Sequence, residues 1–294
     1  MDVLLEPWRY DFFVRGTIAA TMVGGLCGLI GVYIVLRRMS YIGHGLSHAV
    51  FGGAVASYVM QVNFYVGAGL WGFAAALLIN MLARKRQIGA DAAIGIITTA
   101  SFALGVALIS RYRRFTRNFD AALFGNILGV TDQDLLVIAG VSIVTVALIF
   151  MLYKPLLFVT FDPEVAPIYG VRIAWIEAVF SLLLAGAVIA SMQTMGVTMI
   201  AAAIVIPAIV ARLLTDSFST MLWLSTIIGA ACGLVGIYLS YFLDVSSGAT
   251  IVLVAASVFV VAFAAVTVRR RLGGRAARHA AAGRRAQNIA GLFD

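Results

Sequence analysis

The chain has 294 residues, 62% of them hydrophobic and 12% charged, with a mean hydropathy of +1.02. Apolar runs this long and this numerous exceed what one soluble core can bury, so a soluble globular domain is excluded. The formal charge of +8 does not make a nucleic-acid surface, because seven of the 21 basic residues crowd into the end of the chain: Arg269, Arg270, Arg271, Arg275, Arg278, Arg284 and Arg285. A basic block directly after a membrane segment is a topology signal and a lipid-headgroup contact.

The composition predicts an all-α membrane protein, a polytopic bundle of about nine transmembrane helices in one integrated domain (residues 1–268). A basic, flexible tail (269–294) is expected to follow it. The predicted spans are roughly 15–36, 41–60, 64–83, 92–110, 134–153, 173–191, 196–214, 219–241 and 248–268, each close to the length that crosses the hydrocarbon core. The count falls to eight if 196–214 is re-entrant. Met1 to Asp11 mixes acids with Pro7 and Trp8 before any apolar run, so no cleavable leader is expected.

Taken in order, the first span carries Gly24, Gly25 and Gly28, and the eighth carries Gly229 and Gly233. Small residues at such spacing let helix backbones approach closely in lipid, and ordinary helix packing accounts for them. Cys27 and Cys232 lie in separate apolar runs and read as small packing residues, not as a disulfide. Arg37/Arg38, Arg84/Lys85/Arg86, Lys154/Arg172, Arg212 and the tail all fall on one side if the N-terminus is outside. The positive-inside rule makes that side, and the C-terminus, cytoplasmic. Arg111, Arg113, Arg114 and Arg117 run against the rule, on the outer side.

The second span opens with Gly43-His44-Gly45-Leu46-Ser47-His48, which holds two of the three histidines in the chain. Four residues apart on a helix, the imidazoles share a face with Cβ atoms about 6 Å apart. One metal ion or one proton relay can engage both. Ionisable groups inside a membrane segment are costly and mark function by default. Neutral imidazole suits Zn²⁺ and also Fe, Ni or Cu, and a transport site has to bind weakly enough to release. The structural alternative is a buried, hydrogen-bonded histidine pair with Ser47 nearby. A metalloprotease is excluded, since HExxH needs a glutamate where Gly45 stands, and neither a third histidine nor an acid follows at usable spacing.

Further along, Asp91 reads as an N-cap or first-turn acid. Thr160-Phe-Asp-Pro-Glu-Val-Ala reads as a helix start, with Asp162 as N-cap and Pro163 at N1, which predicts a short helix before the sixth span. Glu177 is the one acid well inside an apolar run, about a turn from its end, and fits an interfacial residue and a pathway residue equally. Thr215-Asp216-Ser217-Phe218 interrupts two apolar runs after Arg212. It fits an amphipathic docking helix and a tight helix–helix connection equally well. No GxxxxGK[ST] stretch occurs, so the chain is not an ATPase of the P-loop kind, and any pumping needs a partner subunit.

The run Leu36-Arg-Arg-Met-Ser-Tyr-Ile-Gly-His-Gly-Leu-Ser-His-Ala-Val resembles the signature of permease subunits of the ABC-3 family of zinc, manganese and iron ABC importers. The resemblance continues through Asp91-Ala-Ala-Ile-Gly-Ile, Leu123-Phe-Gly-Asn-Ile-Leu-Gly-Val and Asp162-Pro-Glu-Val-Ala, and it ends in Val205-Ile-Pro-Ala-Ile-Val-Ala-Arg-Leu-Leu. It implies a homodimer in a prokaryotic plasma membrane, with cytoplasmic ATPase subunits and an extracytoplasmic metal-binding protein. It also implies import by alternating access, and ATPase docking through the segment from Arg212 to Leu222, with Arg212, Asp216, Ser217 and Phe218 as its contacts. Its metal-path pair matches His48 as a histidine, whereas at His44 the family usually carries an aspartate. Imidazole in place of carboxylate removes a negative charge and softens the site, which favours Zn²⁺ as cargo over Mn²⁺ and Fe²⁺. The rival expectation is a secondary transporter coupling metal to protons through His44, His48 and Glu177.

Overall fold

The computed structural model describes residues 5–84, 89–112 and 123–290, with side chains as far as Arg269 except at Leu128. Among these residues the regular structure is all helical. The ten helices are α1 (Asp11–Leu36), α2 (Ser40–Val59), α3 (Phe64–Ala83), α4 (Ala90–Tyr112), α5 (Asp132–Met151), α6 (Tyr153–Phe161), α7 (Ile173–Met195), α8 (Ile200–Leu214), α9 (Phe218–Leu243) and α10 (Ser247–Ala290). Short 3₁₀ turns occupy Glu6–Arg9, Ile127–Gly129 and Ala166–Tyr169.

Among the described residues seven helices are long and apolar enough to cross a membrane: α1, α3, α4, α5, α7, α9 and the Ser247–Arg269 part of α10. α2 has the length, at 20 residues, but its histidines, serines and glycines dilute its hydropathy. α8 is the short one, at 15 residues. The span expected from 196 starts late because two loops interlock ahead of it. Gly125 (φ +80°) and Gly196 (φ +73°) both take the left-handed backbone that favours glycine. A Cβ on Gly196 would lie 2.4 Å from the Gly125 nitrogen. Asn126 N–H donates to the Gln193 carbonyl at 3.0 Å, and the Thr198 hydroxyl donates to the Leu123 carbonyl at 2.8 Å.

Local chemistry sets the helix ends. Asn63 caps α3 by accepting from Tyr65 N–H at 2.9 Å, and Thr131 with Asp134 forms a reciprocal capping box on α5. Asp91 lies in the first turn of α4, as its acidity leads one to expect. The helix start expected at Thr160 is corrected. The short helix lies upstream as α6, which ends at Asp162 because Pro163 disfavours helical backbone in the residue before it. Asp162 then accepts from Val165 N–H at 3.2 Å and opens only a turn. Residues 215–217 form a tight connection between α8 and α9 with no helix of their own.

α1 is the buried axis, with 78% of its apolar window inside the bundle, followed by α7 at 61%; α4, α5 and α10 lie at 22% or below. Those outer helices turn Ile96, Leu136, Ile143 and Val261 outward, the surface a lipid-facing helix needs. α1 meets α9 backbone to backbone. A Cβ on Gly24 would fall 2.2 Å from the Gly229 carbonyl oxygen, and the Ser225 hydroxyl donates to the Gly28 carbonyl at 2.6 Å. Cys27 and Cys232 are buried and unbridged.

The helix ends sort into two groups. One end of the bundle carries Arg37, Arg84, Lys154, Arg172 and Arg212. The opposite end holds an Arg15–Asp132 ion pair at 3.0 Å, a bond from the Tyr65 phenol to Asp134, and an aromatic cluster of Trp8, Phe13, Tyr238 and Tyr241. Arg111 is exposed at the end of α4, whereas Lys85, Arg86, Arg113, Arg114, Arg117 and 291–294 lie outside the described residues.

Candidate metal path and docking end

α2 places both histidines on one face, as the spacing predicts. The ring centroids of His44 and His48 are 4.6 Å apart with planes at 75°, so the two imidazoles touch edge to face. Two glycines set the register of this face. A Cβ on Gly45 would stand 2.3 Å from Ile94 Cγ2, and one on Gly52 would stand 2.3 Å from the Ser101 carbonyl oxygen. α2 is therefore pressed against α4 along that line, and His48 sits beside the seam with its ring 5.1 Å from Phe102. Tyr41, one turn earlier, packs 5.5 Å from His44.

Both histidines are half-buried. The Ser47 hydroxyl donates to the His44 backbone carbonyl at 2.9 Å, not to an imidazole. Neither imidazole hydrogen-bonds to a protein group among the described residues. Their nitrogens are thus free to ligate, and two neutral donors make an open, weak site for a borderline divalent ion. No third His, Cys, Asp or Glu joins the pair among the described residues.

Glu177 lies elsewhere, at the arginine-bearing end. Its carboxylate pairs with Arg84 at 2.5 Å, Arg84 Nε donates to Asn80 Oδ1 at 3.2 Å, and Asn80 reaches the Ser181 hydroxyl at 3.3 Å. Arg37 is the neighbour that composition did not single out. Its Nε donates to Thr160 at 3.0 Å, and its guanidinium carbon stands 4.5 Å over the Phe180 ring. Burial pushes the Arg37 pKa down, and the negative charge of Glu177 opposes that shift. These groups line a cavity of about 360 Å³ that reaches α4 at Ile94.

The structure divides the four expected docking residues. Arg212, Asp216 and Ser217 are exposed. Phe218 turns inward onto Tyr33 at 5.5 Å, Tyr153 at 5.7 Å and Phe161 at 5.8 Å. Beside it, exposed Trp223 and Met151 line a second cavity of about 520 Å³ with Lys154 and Ser219. A tryptophan one turn after the connection was the available signal for this surface.

Residues 9–266 match the ABC 3 transport family. The manganese transport system membrane protein MntC of Halalkalibacterium halodurans is 39% identical over 254 residues, which is 86% of this chain and 87% of that protein. A probable iron transport system membrane protein of Haemophilus influenzae is 36% identical over 263 residues, 90% of this chain and 93% of the relative. Among solved structures, PsaBC from Streptococcus pneumoniae in complex with Fab superposes with a TM-score of 0.79 at 34% identity, covering 87% of this chain and 92% of that one. An inward-facing putative metal-chelate type ABC transporter shares the fold, with a TM-score of 0.66 at 17% identity over 85% of each chain.

Proposed function

The chain belongs to the ABC 3 transport family, as a membrane permease subunit distinct from the ATPase, and we propose that it imports a divalent transition metal past His44 and His48. The observation that carries this reading is the pair of touching imidazoles on α2 whose nitrogens have no protein partner among the described residues. A metal shedding part of its water gains two nitrogen ligands there, and the absence of a closed cage lets it leave again.

Between metals, the ligand chemistry favours zinc: two neutral imidazoles bring no negative charge to a hard ion such as Mn²⁺. A second reading, manganese or iron, is favoured by the names of relatives at 36–39% identity. The arginine-bearing end faces the cytoplasm in this proposal, which puts the C-terminus inside. Two copies pair in the membrane, ATPase subunits dock on the exposed residues Arg212, Asp216 and Ser217, and a binding protein delivers the ion from the opposite side. Phe218 serves as the inward anchor of the docking segment. The basic tail, which continues α10 as helix to Ala290, contacts lipid headgroups.

The test is competitive uptake of zinc, manganese and iron by cells expressing the whole complex, with wild type beside His44→Ala/His48→Ala. Loss of uptake at unchanged membrane abundance supports the path, and the metal that wild type prefers names the cargo. Normal uptake by the double variant would make the histidines structural.

A further inference from the structure

Glu177 faces two guanidiniums and binds one of them. Arg84 holds the carboxylate, while Nη2 of Arg37 is buried with no hydrogen-bond partner among the described residues. A buried charged donor left unpaired is costly and calls for an explanation. A diffusing anion does not supply one, because this nitrogen has no exposed surface for an ion to reach in this conformation. A protein carboxylate moving over a short distance does. Glu177 sits one helical turn before Phe180 on the same face of α7, and Phe180 is the ring under Arg37. Glu177 and Arg37 line the same cavity, which leaves room for a side chain to swing. The bond to Arg84 is about a third exposed, at 36% and 32% for the two side chains, so solvent screens it and it is easy to break.

We propose that Glu177 is a positioning residue that changes partner during transport, holding α3 through Arg84 in one state and the α1–α2 turn through Arg37 in the other. The turn is well placed to carry the effect. Arg38 has a left-handed backbone (φ +56°), Met39 follows, and α2 then bears His44 on its second turn. One turn before Arg37, Tyr33 packs on Phe218 from the docking segment. An exchange at Glu177 thus ties the docking end to the tilt of the helix that carries the imidazoles.

The inference rests on the transport reading above, and two measurements on the assembled complex in lipid test it apart from that reading. The charge swap Arg84→Glu/Glu177→Arg restores the α3–α7 pair but sets an arginine beside Arg37. A merely structural ion pair predicts wild-type uptake. Partner exchange predicts at least a tenfold fall in uptake at unchanged membrane abundance and basal ATP hydrolysis. Independently, disulfide formation is compared for Arg84→Cys/Glu177→Cys and for Arg37→Cys/Glu177→Cys, without nucleotide and with ATP trapped by vanadate. The expected result is that trapping lowers the first yield and raises the second. Wild-type uptake in the swap, or yields that trapping leaves unchanged, would overturn the proposal. If the swap fails to reach the membrane, the disulfide comparison decides. Absence of metal uptake by the wild-type complex would instead strike the proposed cargo, with the disulfide result still testing the exchange.

Discussion

At His44 the chain offers an imidazole, and in the proposed metal path the choice between metals turns on that side chain. Converting it to a carboxylate adds a negative charge and a hard oxygen while leaving His48 in place. His44→Asp is expected to raise manganese uptake relative to zinc by about tenfold, the scale on which ligand surroundings change metal affinity; an unchanged ratio in competitive uptake would refute it. The same chemistry fixes the sign of the pH response. A protonated imidazole has no lone pair for the ion, so metal affinity falls as the solution is acidified. Calorimetric titration of the purified complex reads this directly, and a flat profile would count against histidine ligation. The pair was legible in the sequence because ionisable residues stand out in an apolar run. Arg37 was not, since an arginine at a span boundary reads as a topology charge. Its burial depends on Thr160 and Phe180, more than a hundred positions away.

Among the elements, the α1–α9 contact is the most demanding. With a would-be Cβ of Gly24 at 2.2 Å from a carbonyl oxygen, even one methyl group must separate the two backbones. Gly24→Ala is therefore expected to destabilise the protein by about 1–3 kcal/mol, the range for overpacking. Gly140→Ala on α5, where nothing lies within 4 Å, should be neutral or gain up to about 1 kcal/mol from helix propensity. Thermal unfolding of the two variants in detergent separates them, and equal melting temperatures would show that the seam yields without cost. The small residues of this seam were visible in the sequence, but their mutual pairing was not, because close approach gives no local signal of its partner. The spans were readable for the opposite reason: hydropathy over about 20 residues is a property of one segment alone. Where a boundary depended on contact between segments, as with the Gly125–Gly196 interlock that delays α8, the reading was off by several residues.

Over the whole molecule, Arg37, Arg84, Lys154, Arg172 and Arg212 at one end of the bundle outnumber Arg15 and Arg111 at the other, the imbalance that supports a cytoplasmic assignment for the richer end. Single cysteines at Ile168, exposed at the arginine-bearing end, and Val62, exposed at the other, test that assignment; the native Cys27 and Cys232 are buried and leave a quiet background. An impermeant maleimide added to intact cells should label Val62→Cys and not Ile168→Cys, and the reverse pattern would invert the topology. Orientation in turn decides where energy enters. The chain carries no P-loop, and its family pairs the permease with a separate ATPase, while the one ion pair among the described residues at the arginine-bearing end, Arg84–Glu177, is no proton wire by itself. Under the proposed orientation, energy enters from ATP bound by the partner at that end. Proteoliposomes holding the complex, with the ATPase side accessible, should move metal only when ATP is supplied, and an imposed pH gradient without nucleotide should move none. Metal flux driven by the pH gradient alone would reassign the histidines and Glu177 to proton coupling, whereas flux that needs ATP and ignores the gradient leaves them the narrower tasks of holding the ion and setting the tilt of α2.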